Sequence, residues 1–435
     1  MSTGLIVDLF AGGGGASTGI EWALGRSPDL AVNHDPEALL IHRANHPSCH
    51  HLGGDVWNVE PRKATAGRPV ELLWLSPDCK HFSRAKGRAP VSSRVRSLAW
   101  VAIRWARDVR PAVIMLENVP EFRTWGPLVD GEPDRARKGA TFVRWVAKLR
   151  GQGYAVEWRE LVACDHGAPT SRKRLFLIAR RDGLPIIWPA PSHGPGRLPY
   201  RTARTIIDWS IPVPSIFARR RPLAEPTQRR IARGLVKFGG PHVSAYYGTS
   251  TGSSLDEPLG TVTALGIHHA LVQTGYGERV GQAPRCLDLD EPLGTIPAGG
   301  CKHALVAFVA KNYGGHEGPG IALDAPLSTV TCVDHHALVV GRRDPERARA
   351  CRAWLDRYVG AGAFPHMTDI GLRMLEPREL FRAQGFPDSY TIAPSFAGKP
   401  LSKRAQIRLC GNSVPPQLAA ALVRANLPRR EERAA

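Results

Sequence analysis

Four short runs carry side chains able to do covalent or acid–base chemistry. Cys79 lies in Ser76-Pro77-Asp78-Cys79-Lys80-His81-Phe82-Ser83. A thiolate is a strong nucleophile, and Lys80 and His81 would draw the thiol below its free pKa of about 8.5. Asp78 acts the other way, because a neighbouring carboxylate disfavours the thiolate. A cysteine that falls in a loop by chance fits the same residues. Glu117-Asn118-Val119 offers a carboxylate for proton transfer or, equally, for capping a helix or turn. Arg172 and Arg174 are two residues apart in an extended segment. Their guanidinium groups therefore share one side and could clamp an anion or a carbonyl. Phe10-Ala11-Gly12-Gly13-Gly14 is a glycine-rich turn along which a cofactor can approach the backbone closely. Such turns occur in many folds. No GxxxxGK[ST] run is present, which argues against a P-loop nucleotide hydrolase.

Each run sits beside an apolar stretch that would hold it. Leu5–Phe10 reads as a short buried strand, followed by the glycines and a helical pattern from about Ala16 to Leu24. A second apolar stretch ends at Ala31-Val32-Asn33, and Leu72–Leu75 and Ala112–Leu116 read as third and fourth strands. Helical spacing from about Ser97 to Arg107 separates those two, and Leu175–Ala179 is a further strand. Unalternating apolar strands separated by helices predict an α/β fold with a parallel, doubly wound sheet. In such sheets ligands and catalytic groups collect at the carboxyl ends of the strands, where Cys79 and Glu117 fall.

The chain has 435 residues and a net charge of +19, so it is expected to bind something acidic, most often nucleic acid. No apolar run approaches the roughly 20 residues of a membrane span. Met1-Ser2-Thr3-Gly4 has no basic character, so no signal peptide is expected. The eight cysteines, at 49, 79, 164, 286, 301, 332, 351 and 410, form no CxxC pair. That argues against a disulfide scaffold and a thiolate zinc site, and for a reduced, cytoplasmic protein. His46, Cys49, His50 and His51 cluster in sequence, but neighbours in one loop rarely point at one centre, so no metal is expected there.

After about residue 190 the character changes. Segment 196–240 carries ten basic and two acidic residues. Within it Leu223–Lys237 reads as a helix with Pro226 near its start. Arg229, Arg233 and Lys237 share one face, and Ile231 and Leu235 another; the basic face is either a solvated surface or a contact for phosphate. Between 241 and 340 an element repeats three times at a step of 34 residues: Leu255-Asp256-Glu257-Pro258-Leu259-Gly260-Thr261-Val262, Leu289–Ile296 and Leu323–Val330. Each copy opens on Tyr-Gly and closes on an Ala-Leu-Val strand led by His269, His303 or His336, which predicts stacked short β units. The histidines read as strand-end packing residues rather than ligands. This region has a net charge of −5, so any contact with DNA would use loops and hydrogen bonds rather than bulk charge.

Taken in order, Asp8-Leu9-Phe10-Ala11-Gly12, Pro77-Asp78-Cys79, Glu117-Asn118-Val119, Ser171-Arg172-Lys173-Arg174, Arg382-Ala383-Gln384-Gly385-Phe386-Pro387 and Gly411-Asn412-Ser413-Val414-Pro415 resemble the DNA cytosine-5 methyltransferase family. The resemblance spans residues 5 to about 423, apart from the repeats. It implies a Rossmann-like, S-adenosylmethionine-dependent methyltransferase sheet with an inserted β-rich target-recognition domain. The implied division is 1–190 catalytic and cofactor-binding, 191–370 target recognition with repeats at about 243–340, 371–426 a return segment completing the catalytic domain, and 427–435 a basic tail.

The resemblance also supplies roles. Cys79 would add to C6 of a flipped-out cytosine, Glu117 would hold N3 protonated, and Arg174 would contact O2 with Arg172 in support. The cofactor would lie on Phe10, Gly12 and Gly14, with Asp55 at its adenine and Asn412 and Val414 closing the pocket. The ribose acid of the family falls at Asn33, or at Asp35 if the alignment slips by two. Ser83, Arg229, Arg233 and Lys237 are the expected DNA contacts, and the repeat loops would read bases in the major groove. The implied partner is double-stranded DNA, bound by a bacterial or phage-encoded monomer with no metal. The family usually has Pro-Cys-Gln where Asp78-Cys79-Lys80 stands, and Gln where Thr170 stands. RNA as substrate and a catalytically silent DNA-binding relative are the alternatives. Lys80 also admits a variant in which a carboxymethyl group is transferred, although contact with phosphate or loop backbone accounts for it as well.

Overall fold

Leu5–Leu9 (β1) is buried along its whole length, and its alternating side chains serve two cores. Leu5, Val7 and Leu9 face one way, toward Trp105, Phe122 and Trp145. Ile6 faces the other way, toward Ile20, Trp74 and Leu418. This period-two division is what a sheet covered by helices on both faces requires. The computed structural model describes residues 4–78, 97–129, 132–238, 243–244, 270–276, 306–311, 320–322, 336–340, 345–361, 363–364, 367–396 and 398–427.

The main sheet has seven strands: β1, Leu30–Asn33 (β2), His50–Gly53 (β3), Val70–Leu75 (β4), Val113–Asn118 (β5), Ala155–Val162 (β6) and Lys173–Arg180 (β7). Their spatial order is β3-β2-β1-β4-β5-β7-β6. The first five run parallel. The order reverses between β1 and β4, which opens a crevice at their carboxyl ends.

The expectation of an all-parallel sheet is corrected at β7, which runs antiparallel to both β5 and β6. The connection from Val162 to Lys173 is a short turn containing Gly167 at φ +89°, with no crossover helix, so the chain can only return antiparallel. β3 and β6 were not legible as strands because both lie at sheet edges and carry polar residues on an exposed face.

Gly15–Leu24 (α1) packs against Pro416–Asn426 (α9) near the end of the chain. A Cβ on Gly19 would lie 2.4 Å from the Pro416 carbonyl oxygen and 2.6 Å from Ala419 Cβ, so glycine sets the separation of the two helices. The last segment therefore folds back onto the first, as anticipated. Pro36–Asn45 (α2) follows β2, and Val101–Asp108 (α3) and Ala140–Arg150 (α4) cover the opposite face. The helix anticipated over 223–237 is Glu225–Phe238 (α5). Ile231 and Leu235 are fully buried while Arg229 and Arg233 are exposed, as the two-faced pattern requires. Pro345–Tyr358 (α6), Pro377–Ala383 (α7) and Lys403–Asn412 (α8) complete the helices used below.

A second, antiparallel sheet contains Val243–Ser244 (β8), Ala270–Tyr276 (β9), Val306–Lys311 (β10), Gly320–Ala322 (β11), His336–Val340 (β12) and Met367–Met374 (β13). Its order is β8-β11-β10-β9-β13-β12, and β12 also pairs with β10, so β9, β10, β12 and β13 close on one another. Strands begin at Ala270 and His336, where the repeat pattern places them; the three Leu-Asp elements, His269 and His303 lie outside the described residues. β13 crosses the 370/371 division. Its Arg373 forms a bidentate ion pair with Glu379 of α7, both bonds 2.8 Å, and Glu379 also accepts from the backbone N–H of Asp208. Among the described residues no helix is long and apolar enough to cross a membrane.

Candidate active site

The antiparallel sense of β7 decides where two arginines stand. Asn118 of β5 pairs with Leu175 and Glu117 with Phe176, so the start of β7 lies beside the carboxyl end of β5. Glu117 and Asn118 are the last two residues of β5 rather than the loop after it, and Arg174 is inside β7 rather than ahead of it. Arg174 Nε is 3.3 Å from Glu117 Oε1, and Arg172 Nη2 is 4.0 Å from the same oxygen. All three side chains are buried.

Two guanidinium groups thus stand against one carboxylate at a buried site. Glu117 Oε1 and Arg174 Nε have no hydrogen-bond partner among the described residues. Buried polar atoms of this kind point to a ligand. Arg172 is held from behind, donating through Nη1 to the Gly411 carbonyl at 3.0 Å, and Arg174 Nη1 donates to the Lys173 carbonyl at 2.7 Å. Thr170, in the place where the family has Gln, is fully buried and accepts from the Arg172 backbone N–H at 3.3 Å.

Asn118 Nδ2 donates to the Pro77 carbonyl at 3.2 Å and so fixes the loop after β4 against the end of β5. Asp78 follows within that loop; Cys79, Lys80 and Ser83 lie outside the described residues. Asp78 is thus the last described residue of the loop that Asn118 fastens to the end of β5.

The glycine turn leaves β1 at the switch point. Phe10 has φ +62°, Gly12 +55° and Gly14 +85°, so the turn runs through the left-handed region. Tyr390 Oη donates to the Gly13 carbonyl at 2.6 Å, and a Cβ on Gly14 would lie 2.4 Å from the same Oη. Val414 is buried, and its carbonyl oxygen would lie 2.1 Å from a Cβ on Gly15; Asn412 is exposed beside it. The return segment thus meets the glycine turn.

Asn33, Asp35 and Asp55 line the same edge, beyond β2 and β3, and each already holds backbone. Asn33 Oδ1 accepts from the Asp35 N–H at 2.9 Å, Asp35 caps α2 through the Glu37 N–H at 3.0 Å, and Asp55 caps a short turn through the Trp57 N–H at 3.0 Å. Asp35 is also ion-paired with Arg408 of α8, which bonds Glu37 at 2.6 Å. Arg229 pairs with Glu225 of its own helix at 3.6 Å; Arg233 is exposed, and the side chain of Lys237 lies outside the described residues.

Sequence reasoning missed the polar network under the glycine turn. Asp8 Oδ2 accepts from Ser17 Oγ at 2.7 Å, and Ser17 Oγ is 2.9 Å from His42 Nε2. His46 bonds Glu21 at 2.9 Å. Burial pushes the Asp8 carboxyl up to about 7, against the opposing bond from Ser17. Burial, and then the charges of His46 and His51, hold His42 well below the ordinary histidine range. Burial also lowers His51, to about 4. The signal available was a single carboxylate inside an otherwise apolar strand.

A sequence model of C-5 cytosine-specific DNA methylases matches residues 5–205 and 336–427. The chain belongs to this family. The three Leu-Asp elements of the repeats, between 255 and 330, lie outside the match, and the closing strand of the third copy, from His336, lies inside it. Among the chain's curated relatives, the type II methyltransferase M.AgeI of Thalassovita gelatinovora is 29% identical over 196 residues, 44% of this chain and 43% of that one. M.AquIA of a Picosynechococcus species is 28% identical over 236 residues, 49% of this chain and 93% of that one. M.XorII of Xanthomonas oryzae is 32% identical over 195 residues, 43% of each. The chain thus spans less than half the length of two of these three relatives. Solved structures share the fold across the whole chain. A Spodoptera frugiperda DNMT2 variant has TM-score 0.54 at 15% identity, covering 97% of this chain and 99% of that one. The S. pombe Dnmt2 methyltransferase has TM-score 0.53 at 16% identity, covering 97% of both.

Proposed function

We propose that this methylase-family protein transfers a methyl group to C5 of a cytosine in double-stranded DNA. The observation that carries the reading is the buried Glu117–Arg174–Arg172 cluster beside the loop that leads into Cys79. The base must leave the duplex to reach it, at a cost of a few kcal/mol. Arg174, with Arg172 behind it, supplies positive charge for the cytosine O2. Glu117 holds the proton at N3, which makes C6 electrophilic. The Cys79 thiolate bonds to C6 and turns C5 into a nucleophile. After C5 is methylated it loses its proton, the bond to Cys79 breaks, and the thiolate leaves.

The turn at Phe10–Gly14 suits S-adenosylmethionine. It lies at the switch point, three of its residues have positive φ angles, and Asn33, Asp35 and Asp55 stand beyond the neighbouring strands. When bound, that cofactor supplies the methyl group. Phe10, Gly12 and Gly14 would hold it, with Asp55 and either Asn33 or Asp35 along its edge and Asn412 and Val414 closing the far side. Because Asp35 already answers Arg408, Asn33 and Asp35 act through one hydrogen-bonded unit. The basic face of α5 is the proposed phosphate contact and the repeat region the proposed reader of sequence, as one DNA-bound monomer.

Duplex DNA carrying 5-fluorocytosine tests the chemistry, since fluorine at C5 cannot leave as a proton does. A denaturation-resistant adduct on Cys79, absent from Cys79→Ser, is expected. Binding without any adduct at any sequence would show a DNA-binding protein without this chemistry.

A further inference from the structure

Under the glycine turn, three neighbouring strands set Asp8, Ala31 and His51 side by side. Asp8 pairs with Ala31, and Ala31 with His51, so the three side chains point to one face. Ala31 is small, and the space above it is filled from two other elements: His42 comes from α2 and Cys49 from the turn ahead of β3. His42 is fully buried, Cys49 is 5% exposed, and His51 is half-buried at the sheet edge. His42 Nδ1 and His51 Nε2 are 2.8 Å apart, and one ligand atom from each of His42, Cys49 and His51 lies within 4.8 Å of the other two.

We infer that His42, Cys49 and His51 form a site for a single divalent transition metal, with zinc as the natural occupant. One thiolate and two imidazoles are a borderline-soft donor set, and in this chain they leave a fourth position for water. Zn–N of about 2.0–2.1 Å and Zn–S of about 2.3 Å place tetrahedral donors roughly 3.3–3.6 Å apart. The hydrogen bond between the histidines need open by only about half an ångström to reach that spacing.

Two further features fit a metal. The second nitrogen of a metal-bound histidine is ordinarily held by a carboxylate or another acceptor. Here His42 Nε2 is held by Ser17, and Ser17 by Asp8. The charges also balance, since a dication is neutralised by one thiolate and by the Asp8 carboxyl once it gives up its proton on metal binding. Asp8 Oδ1 is buried without a hydrogen-bond partner among the described residues, which leaves it in want of a nearby positive charge.

Of the four residues at 46–51, Cys49 and His51 do converge, against the expectation that neighbours in one loop would not share a centre, because a third partner lies outside that loop. His42 is recruited from a helix, His46 turns to Glu21 and Thr18, and His50 is exposed. The site would fasten α2 to β3 beneath the turn at Phe10–Gly14. It is independent of the methyl-transfer reading.

The test uses the full chain, stripped with a chelator, reduced without thiol reagents and titrated with Co²⁺. One Co²⁺ per chain is expected, with tetrahedral visible absorption and a thiolate-to-metal charge-transfer band, both displaced by Zn²⁺. Cys49→Ser should lose the charge-transfer band and Cys79→Ser should keep it. Ser17→Ala should weaken binding by about tenfold to a hundredfold. His51→Ala, at the half-buried edge, takes the place of Cys49→Ser if that variant fails to fold. Absence of stoichiometric binding by the wild-type chain, or bands that survive Cys49→Ser or His51→Ala, would overturn the proposal and leave a hydrogen-bonded histidine pair.

Discussion

Arg174 Nε stands 3.3 Å from Glu117 Oε1, and the two residues meet only because β7 runs against β5. In a parallel arrangement the start of β7 would lie at the far edge of the sheet, about 20 Å away for a strand of six residues. The topology therefore makes the site. For Glu117→Gln the proton-holding role would be lost with little change of shape. Methyl transfer should fall by about 100-fold or more, in the range of general acid–base effects, while DNA binding persists. Arg174→Lys should also be severely impaired, because an ammonium cannot reproduce the planar fork. Single-turnover rates with a fixed DNA check both.

Gly19 sets how closely α1 and α9 approach. Gly19→Ala should destabilise the fold by about 1–3 kcal/mol through overpacking against Pro416 and Ala419. Urea midpoints measure it, and an unchanged midpoint would show that the helices can separate at no cost.

Asp8 should give the protein a recognisable pH dependence. Its folded pKa of about 7 lies above the unfolded value near 3.8, so the native state holds a proton that the unfolded state has released. Its contribution is complete below about pH 4 and is lost as pH rises toward 7. Relative to Asp8→Asn, the wild type should therefore lose stability over that window, by up to about 1.4 kcal/mol per pH unit. His42 acts in the opposite sense. Its pKa is depressed, so stability is lost as pH falls below the unfolded value near 6.5. Denaturant melts from pH 4 to 8 on wild type, Asp8→Asn and His42→Gln would separate the two.

The Arg373–Glu379 pair joins β13 to α7 and is almost wholly buried. Arg373→Met alone should cost about 3–5 kcal/mol, because Glu379 would be left charged and buried. Removing both charges, with Glu379→Met added, should recover part of that loss. A double-mutant cycle reads the difference, and additive losses would mean the charges act separately.

Much of this architecture can be read from the chain. β1, β4 and β5 are unalternating apolar runs, and the carboxyl ends of buried strands are where Cys79 and Glu117 were to be sought; Glu117 stands there, and Cys79 lies outside the described residues. α5 showed itself through the spacing of Ile231 and Leu235 against Arg229 and Arg233. The sense of β7 was not legible, since an apolar run carries no direction; only the short turn before Lys173 fixes it. His42 and Ser17 escaped notice because their meaning depends on the register that places Asp8, Ala31 and His51 abreast. Asn33 and Asp35, which the sequence left as alternatives, are joined in the fold, where Asn33 Oδ1 accepts from the Asp35 backbone N–H.

Cytosine-5 methylation of DNA is tested most directly by methylation sequencing of DNA from cells expressing this chain beside a Cys79→Ala control. Methylated cytosines in one short fixed context, absent from the control, are the predicted result. DNA from expressing cells that is indistinguishable from the Cys79→Ala control would contradict the account.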